Sequence, residues 1–319
     1  MSPEIICLGE LLVEMMRTEA NIPHGMIGAT YKGPYPSGAP AIFIDTASRM
    51  SKPFKFTNGY IGTIGNDEYG ECIIKKLQDD GVDVSQIRFS AGETTGIAFN
   101  QYNSDSSRKF IFAKGAAGET SPMDVKEKYF EDIKILHIMG SALSISKTSR
   151  DACTKAINLA KKKNPRVKIS FDPNIRPEML NFEEILEICM PVLEKTEIFL
   201  PSGEEAELIA GIKGPKKACQ QLLGMGPKII ALKQGKEGCT IFTDNNFNGM
   251  KINGFDVREI DPTGAGDSFD GAFIVGYLAG WDILKVGLFA NAVGALKVES
   301  FGPMASTSYE EALKLMERD

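Results

Sequence analysis

Asp261-Pro-Thr-Gly-Ala-Gly-Asp267 is the run whose residue types and spacing point most directly to chemistry. Glycines at 264 and 266 permit a tight turn and leave backbone N–H groups unobstructed at a helix start. Those donors, at the positive end of the helix dipole, form a site for an anion such as a phosphoryl group. Asp267 stands where that anion would bind. A carboxylate aimed at an anion site is poor for binding alone, but it suits a group that takes a proton from an attacking hydroxyl. Read in isolation, the same residues would equally serve as a cap and a turn. The chain has no G-x-x-x-x-G-K-[ST], and Gly264-Ala-Gly266 lacks the third glycine of the dinucleotide fingerprint.

The elements that must hold this run follow an alternating pattern. Buried strands are expected at Ile5–Leu8, Ile135–Met139, Val167–Phe171, Ile198–Leu200 and Lys228–Lys233. Apolar residues at three-to-four spacing predict helices over Tyr69–Asp80, Thr148–Lys163, Phe182–Lys195 and Glu204–Ala210. Phe255–Ile260 reads as a strand leading into the motif, and Phe269–Ala279 as the apolar helix after it. Strand–helix alternation predicts an α/β fold, a doubly wound and mainly parallel sheet flanked by helices, with chemistry at the carboxyl ends of the strands.

Two stretches break the rhythm. Residues 11–36 are rich in Gly and Pro, and residues 94–114 read as a hairpin, Thr95–Tyr102 and Lys109–Ala113 around the polar turn Asn103–Ser107. Together they predict a small β-lid inserted in one domain spanning residues 1–319. Phe99, Tyr102 and Phe112 on this hairpin are candidates for covering a substrate face.

Composition narrows the classes further. A net charge of -6 argues against nucleic-acid or anionic-membrane partners, which demand clustered Lys and Arg. Six scattered cysteines without a C-x-x-C pair suit free thiols in a cytoplasmic protein. The N-terminus shows no signal-peptide pattern, and Gly271–Trp281 is too short to span a bilayer. Two histidines at no ligand spacing argue against zinc: His137 reads as a core residue, and His24 as a loop residue that could face substrate. Asp45 sits among apolar residues without an evident role.

Asp261–Asp267 resembles the C-terminal signature of the ribokinase-like (PfkB-type) carbohydrate kinases, and ordered matches extend the resemblance along essentially the whole chain. Gly9-Glu-Leu-Leu-Val-Glu14 resembles a first strand ending in an acidic substrate contact, Glu14. Ser37-Gly38-Ala39 resembles the glycine pair lying against the sugar. Phe171-Asp-Pro-Asn174-Ile-Arg176 resembles the D-x-N-x-R element between substrate and phosphates, with Asn174 on the nucleotide side and Arg176 on the substrate side. Ser202-Gly-Glu-Glu205 resembles the N-x-x-E motif that organises Mg²⁺ through water, and Lys233-Gln-Gly235-Lys-Glu-Gly238 the turn lining the nucleotide. Asn291 matches the residue near adenine.

The resemblance implies an ATP- and Mg²⁺-dependent kinase for a ketose or 2-keto sugar acid. Asp267 would be its base, the N–H groups of Gly264, Ala265 and Gly266 its anion hole, and Thr263 a neighbour of the phosphates. It leaves open a monovalent cation such as K⁺ and a homodimer formed through the lid. A nucleoside kinase of the same fold and a non-catalytic sugar or nucleotide sensor are the alternatives. Departures fall on substrate recognition: Ser37 replaces the first glycine, Ile42 an asparagine, and Ser202 the asparagine of N-x-x-E. Phe110–Gly118 and the Asp172 element resemble 2-keto-3-deoxygluconate kinases, yet Ala113 replaces the arginine expected to hold a sugar-acid carboxylate. Lys114 or Arg176 would then supply that charge, and a neutral ketose such as fructose or tagatose competes.

Overall fold

The computed structural model describes residues 2–104 and 108–318. Among the described residues the strands are β1 (Ile5–Glu10), β2 (Leu12–Arg17), β3 (Tyr31–Ser37), β4 (Asn58–Ile64), β5 (Val82–Phe89), β6 (Gly96–Tyr102), β7 (Arg108–Ala113), β8 (Ile135–Met139), β9 (Lys168–Asp172), β10 (Ile198–Phe199), β11 (Ile229–Lys233), β12 (Cys239–Thr243) and β13 (Asn246–Ile252). The helices are α1 (Ala39–Ser51), α2 (Glu68–Asp79), α3 (Gly140–Ser144), α4 (Lys147–Lys163), α5 (Phe182–Leu193), α6 (Glu205–Ala210), α7 (Pro215–Leu223), α8 (Ala265–Leu278), α9 (Ile283–Val298) and α10 (Tyr309–Met316).

Nine strands form one sheet in the order β13-β12-β11-β10-β9-β8-β1-β4-β5. Pairing is parallel from β5 to β11 and antiparallel across β12 and β13. β1, an interior strand between β8 and β4, is buried along its whole length, as a strand covered by helices on both faces must be. α1, α8 and α9 contribute to one apolar core, and α4, α5 and α7 to the other. Sequence capping fixes several helix starts: Asp67 accepts from the Gly70 N–H before α2, and Asn181 with Glu184 forms a capping box at α5.

The two irregular stretches come together as a four-stranded sheet, β3-β2-β6-β7. Only Leu11 separates β1 of the large sheet from β2 of the small one. The expected turn at 103–107 falls partly on residues 105–107, outside the described residues. No strand forms over 255–260; this segment is irregular and lines the cavity described below. The apolar helix begins at Ala265 rather than Phe269, which places Asp267 in its first turn.

His137 is a core residue. Its Nδ1 lies 3.0 Å from the Ser170 hydroxyl and its ring stacks on Phe43, while burial pushes its pKa down to about 3. Asp45, fully buried, joins α1 to α2 through Arg49 (3.2 Å) and Lys76 (3.2 Å), and burial raises its pKa to about 6. His24 bonds the Tyr31 hydroxyl and the Lys109 carbonyl within the small sheet, away from the cavity.

Candidate active site

The carboxyl ends of β1, β9 and β11, the start of α8 and the inner face of the small sheet enclose one cavity of about 570 Å³. Gly264 makes the turn into α8 with φ +81, and a side chain there would bring its Cβ within 2.4 Å of the Pro303 carbonyl oxygen. Gly266 differs: a Cβ would meet only the Lys233 side chain, at 3.7 Å, so the protein alone does not require glycine there. The space beside it belongs to the cavity. The Ala265 N–H donates to the Pro262 carbonyl (3.2 Å), so of the expected trio Gly264, Ala265 and Gly266 it is Ala265 whose donor is already engaged. The Asp267 N–H joins the same first turn.

Asp267 is buried at the bottom of the cavity, and Asn174 Nδ2 donates to its Oδ1 at 3.3 Å. Burial, followed by the nearby Asp172 charge, pushes its pKa up to about 7; Arg176 and Lys233 offset this only in part. Asn174, expected on the nucleotide side, thus touches the Asp267 carboxylate and lines the same cavity.

Below Asp267 lies a buried ion cluster. Lys233 Nζ donates to Asp172 at 2.8 Å and to both oxygens of Asp270 at 3.0 Å. Burial alone would lower the lysine, but the two carboxylates overcome this and hold it above its ordinary range. Burial would raise Asp172, and Lys233 holds it below. Glu205 accepts the Ile175 N–H (2.8 Å) through one oxygen and the Ser202 N–H and hydroxyl (both 2.7 Å) through the other. It thus ties two loops together. No group of three or more His, Cys, Asp or Glu residues able to hold a metal occurs among the described residues. Gly235, Gly238 and Asn291 line the end of the cavity farther along the sheet, where Asn291 donates to the carbonyls of Ile252 and Asn253.

The opposite end is polar and charged. Ser37 donates to Glu14 Oε1 (2.7 Å), while Glu14 Oε2 and Glu10 Oε2 are buried without hydrogen-bond partners among the described residues. Burial raises Glu10 to about 7, partly offset by the Ser141 hydroxyl and Arg176. Gly38 (φ +111), Ala39 and Ile42 form the wall beside them. Arg108, Phe110 and Phe112 project from β7, and Arg176 enters from the loop after β9.

Three expected substrate contacts do not line this cavity. Phe99 pairs across the strands with Ile111 and packs edge-on against Tyr31, on the face opposite Phe112. Phe99 and Tyr102 are three residues apart, so a strand's two-residue period puts them on opposite faces. Tyr102 donates to Asp261 Oδ1 (2.7 Å), and Lys114 to the Ile145 carbonyl (3.0 Å). Ala113 also lies on the outer face, paired with Ile97, so its identity does not decide whether the cavity holds a guanidinium. Glu10, Arg108 and Phe110 are among the cavity residues that sequence reasoning did not single out as contacts. Strand parity, given Phe112, points to Phe110 and Arg108.

A family model described as pfkB family carbohydrate kinase matches residues 3–310. The chain belongs to this family. It is a sugar kinase, a phosphotransferase of an ATP- and Mg²⁺-using family, on the ribokinase-like fold. A Clostridium botulinum (strain Alaska E43 / Type E3) protein named 5-dehydro-2-deoxygluconokinase is 32% identical over 306 residues, covering 93% of this chain and 87% of the relative. An E. coli structure in complex with ATP and Mg²⁺, provisionally named Ribokinase II, is 38% identical with a TM-score of 0.90, covering 99% of this chain and 100% of that one. A double-mutant fructokinase of Vibrio cholerae O395, solved with fructose, ADP and potassium, shares the fold at 24% identity and a TM-score of 0.84, covering 99% of both chains. No described helix is long and apolar enough to cross a membrane.

Proposed function

We propose that this sugar kinase transfers the ATP γ-phosphate to a hydroxyl of a 2-keto sugar acid, with Asp267 as the base. The observation that carries this reading is the placement of Asp267 between two chemically different ends of one cavity. One end offers Glu10, Glu14, Arg108 and Arg176; the other offers Gly235, Gly238 and Asn291 beyond the free amides of α8. The unpartnered oxygens of Glu10 and Glu14 would accept sugar hydroxyls, since a buried acceptor without a donor is costly. Arg108 and Arg176 bring two guanidiniums to the same end and favour a carboxylated substrate over a neutral ketose. The name of the 32% identical relative, 5-dehydro-2-deoxygluconokinase, also concerns a keto sugar acid, with its keto group at C5 rather than C2.

Asp267 accepts the hydroxyl proton as the oxygen bonds to phosphorus, and Asn174 holds the carboxylate toward the reacting atoms. The Gly266 and Asp267 N–H groups, at the positive end of α8, hold charge on the transferring phosphoryl group. Mg²⁺, when bound with the nucleotide, would supply positive charge to offset that of the phosphates. Glu205 faces the cavity from the loops it ties and would meet that ion through water.

A coupled ADP-release screen over keto sugar acids, neutral ketoses, aldoses and nucleosides tests this. Turnover should be fastest with a keto sugar acid. Turnover confined to neutral sugars or nucleosides would overturn the assignment.

A further inference from the structure

Lys297, near the end of α9, is 1% exposed and belongs to none of the groups described so far. An ammonium that deep requires compensation. Its Nζ donates to the Asp261 carbonyl at 2.8 Å and to the Ser300 carbonyl at 3.3 Å, and the Asp261 carboxylate lies 3.8 Å away. Two backbone carbonyls and a carboxylate around one positive centre form a hard-oxygen donor set, of the kind that suits a metal cation.

The place of this cradle matters more than its donors. The Asp261 carboxylate also accepts from the Gly302 N–H (2.8 Å), the Thr263 N–H (3.0 Å) and the Tyr102 hydroxyl (2.7 Å). Asp261 begins the loop that ends at Gly264, and the Pro303 carbonyl forms the wall behind Gly264. The positive charge therefore pins the two segments that set the start of α8, and through Tyr102 it reaches the small sheet. Burial pulls the ammonium below the ordinary lysine range, while Asp261 and Glu14 pull the other way.

A monovalent cation does not fit this cradle alongside Lys297, because Nζ already occupies its centre and a second positive charge would be repelled. We propose that Lys297 serves as a resident cation, its ammonium holding the Asp261–Gly264 loop so that turnover requires no added K⁺. Lys297 is a positioning residue, since it touches neither substrate nor reacting atoms. The inference rests on the kinase reading but not on the choice of sugar.

The test compares wild type and Lys297→Met in tetramethylammonium buffer with and without KCl or NH₄Cl. It follows turnover on whichever sugar reacts, and ATP–Mg²⁺ affinity by calorimetry without sugar. The wild type should change by less than about twofold in kcat and ATP affinity. Lys297→Met should lose at least about tenfold in kcat and recover part of it with K⁺ or NH₄⁺. Lys297→Arg should remain independent of added cation. Several-fold activation of the wild type by K⁺, or a folded Lys297→Met whose loss no cation repairs, would overturn the proposal. If Lys297→Met fails to fold, the wild-type and Lys297→Arg measurements decide. A wild type that binds ATP without K⁺ dependence but phosphorylates no keto sugar acid removes the substrate assignment and leaves this inference standing.

Discussion

Replacing Asp267 by asparagine separates two consequences of burying a carboxyl at the start of α8. Its folded pKa lies at about 7, against about 3.9 for an unperturbed aspartate, a difference of about 3 units and a ceiling of about 4 kcal/mol. The sign follows from proton binding. Between about pH 4 and 7 the folded protein retains a proton that the unfolded chain has released, so this group's contribution to stability falls as pH rises. Asparagine has no proton to release. Ligand-free Asp267→Asn should therefore gain on the wild type as pH increases, by about 2 kcal/mol between pH 5.5 and pH 8. Urea unfolding of both proteins at the two pH values measures this. The same variant should lose about 10²- to 10⁴-fold in kcat, with ATP affinity retained or improved by removal of a negative charge. A stability difference that does not change with pH would refute the raised carboxyl. Retained turnover would remove Asp267 as the base.

Gly266→Ala should fold as well as the wild type or better, by up to about 1 kcal/mol, because Ala favours a helix and meets no protein atom closer than 3.7 Å; kcat with ATP should nevertheless fall, measured beside a thermal melt. Gly264→Ala should lose both, since it combines a left-handed φ with a 2.4 Å approach to the Pro303 carbonyl. Arg108→Met should raise KM for a keto sugar acid by about ten- to a hundredfold, the value of one charge-assisted contact, and leave KM for a neutral ketose little changed in the same steady-state assay. Lys233→Met strips the shared partner from Asp172 and Asp270, and denaturant unfolding should show a loss of about 3–5 kcal/mol.

How much of this was legible in the sequence depended on whether the signal was local. Ile135–Met139 reads as a strand because every residue is apolar or tolerated in a core, and β8 has those bounds. β4 carries no comparable run: Gly59, Gly62 and Thr63 interrupt it, although all seven of its residues are buried. Phe255–Ile260 has strand-like residue types but gains no ladder partner, as the sheet ends at β13. The helix-start turn at Gly264 and the carboxylate at Asp267 could be read from spacing alone. Arg108 could not, because its role depends on which face of β7 turns inward. Lys297 resembles any helix lysine until the fold buries it, and Asp45 and Lys233 depend in the same way on partners far along the chain.

The single residue between β1 and β2 divides responsibilities within the site. Strand β1 ends the large sheet's contribution at Glu10, and immediately after Leu11 the chain enters the small sheet, which carries Arg108, Phe110 and Phe112 inward at alternate positions. Asp267, its amides and the Lys233 cluster all stand on the large sheet and its helices. Selection acting on the six residues of β7 can change which sugar is admitted without touching the groups that move phosphate. A scaffold divided in this way is free to diversify its substrates while its chemistry stays constant.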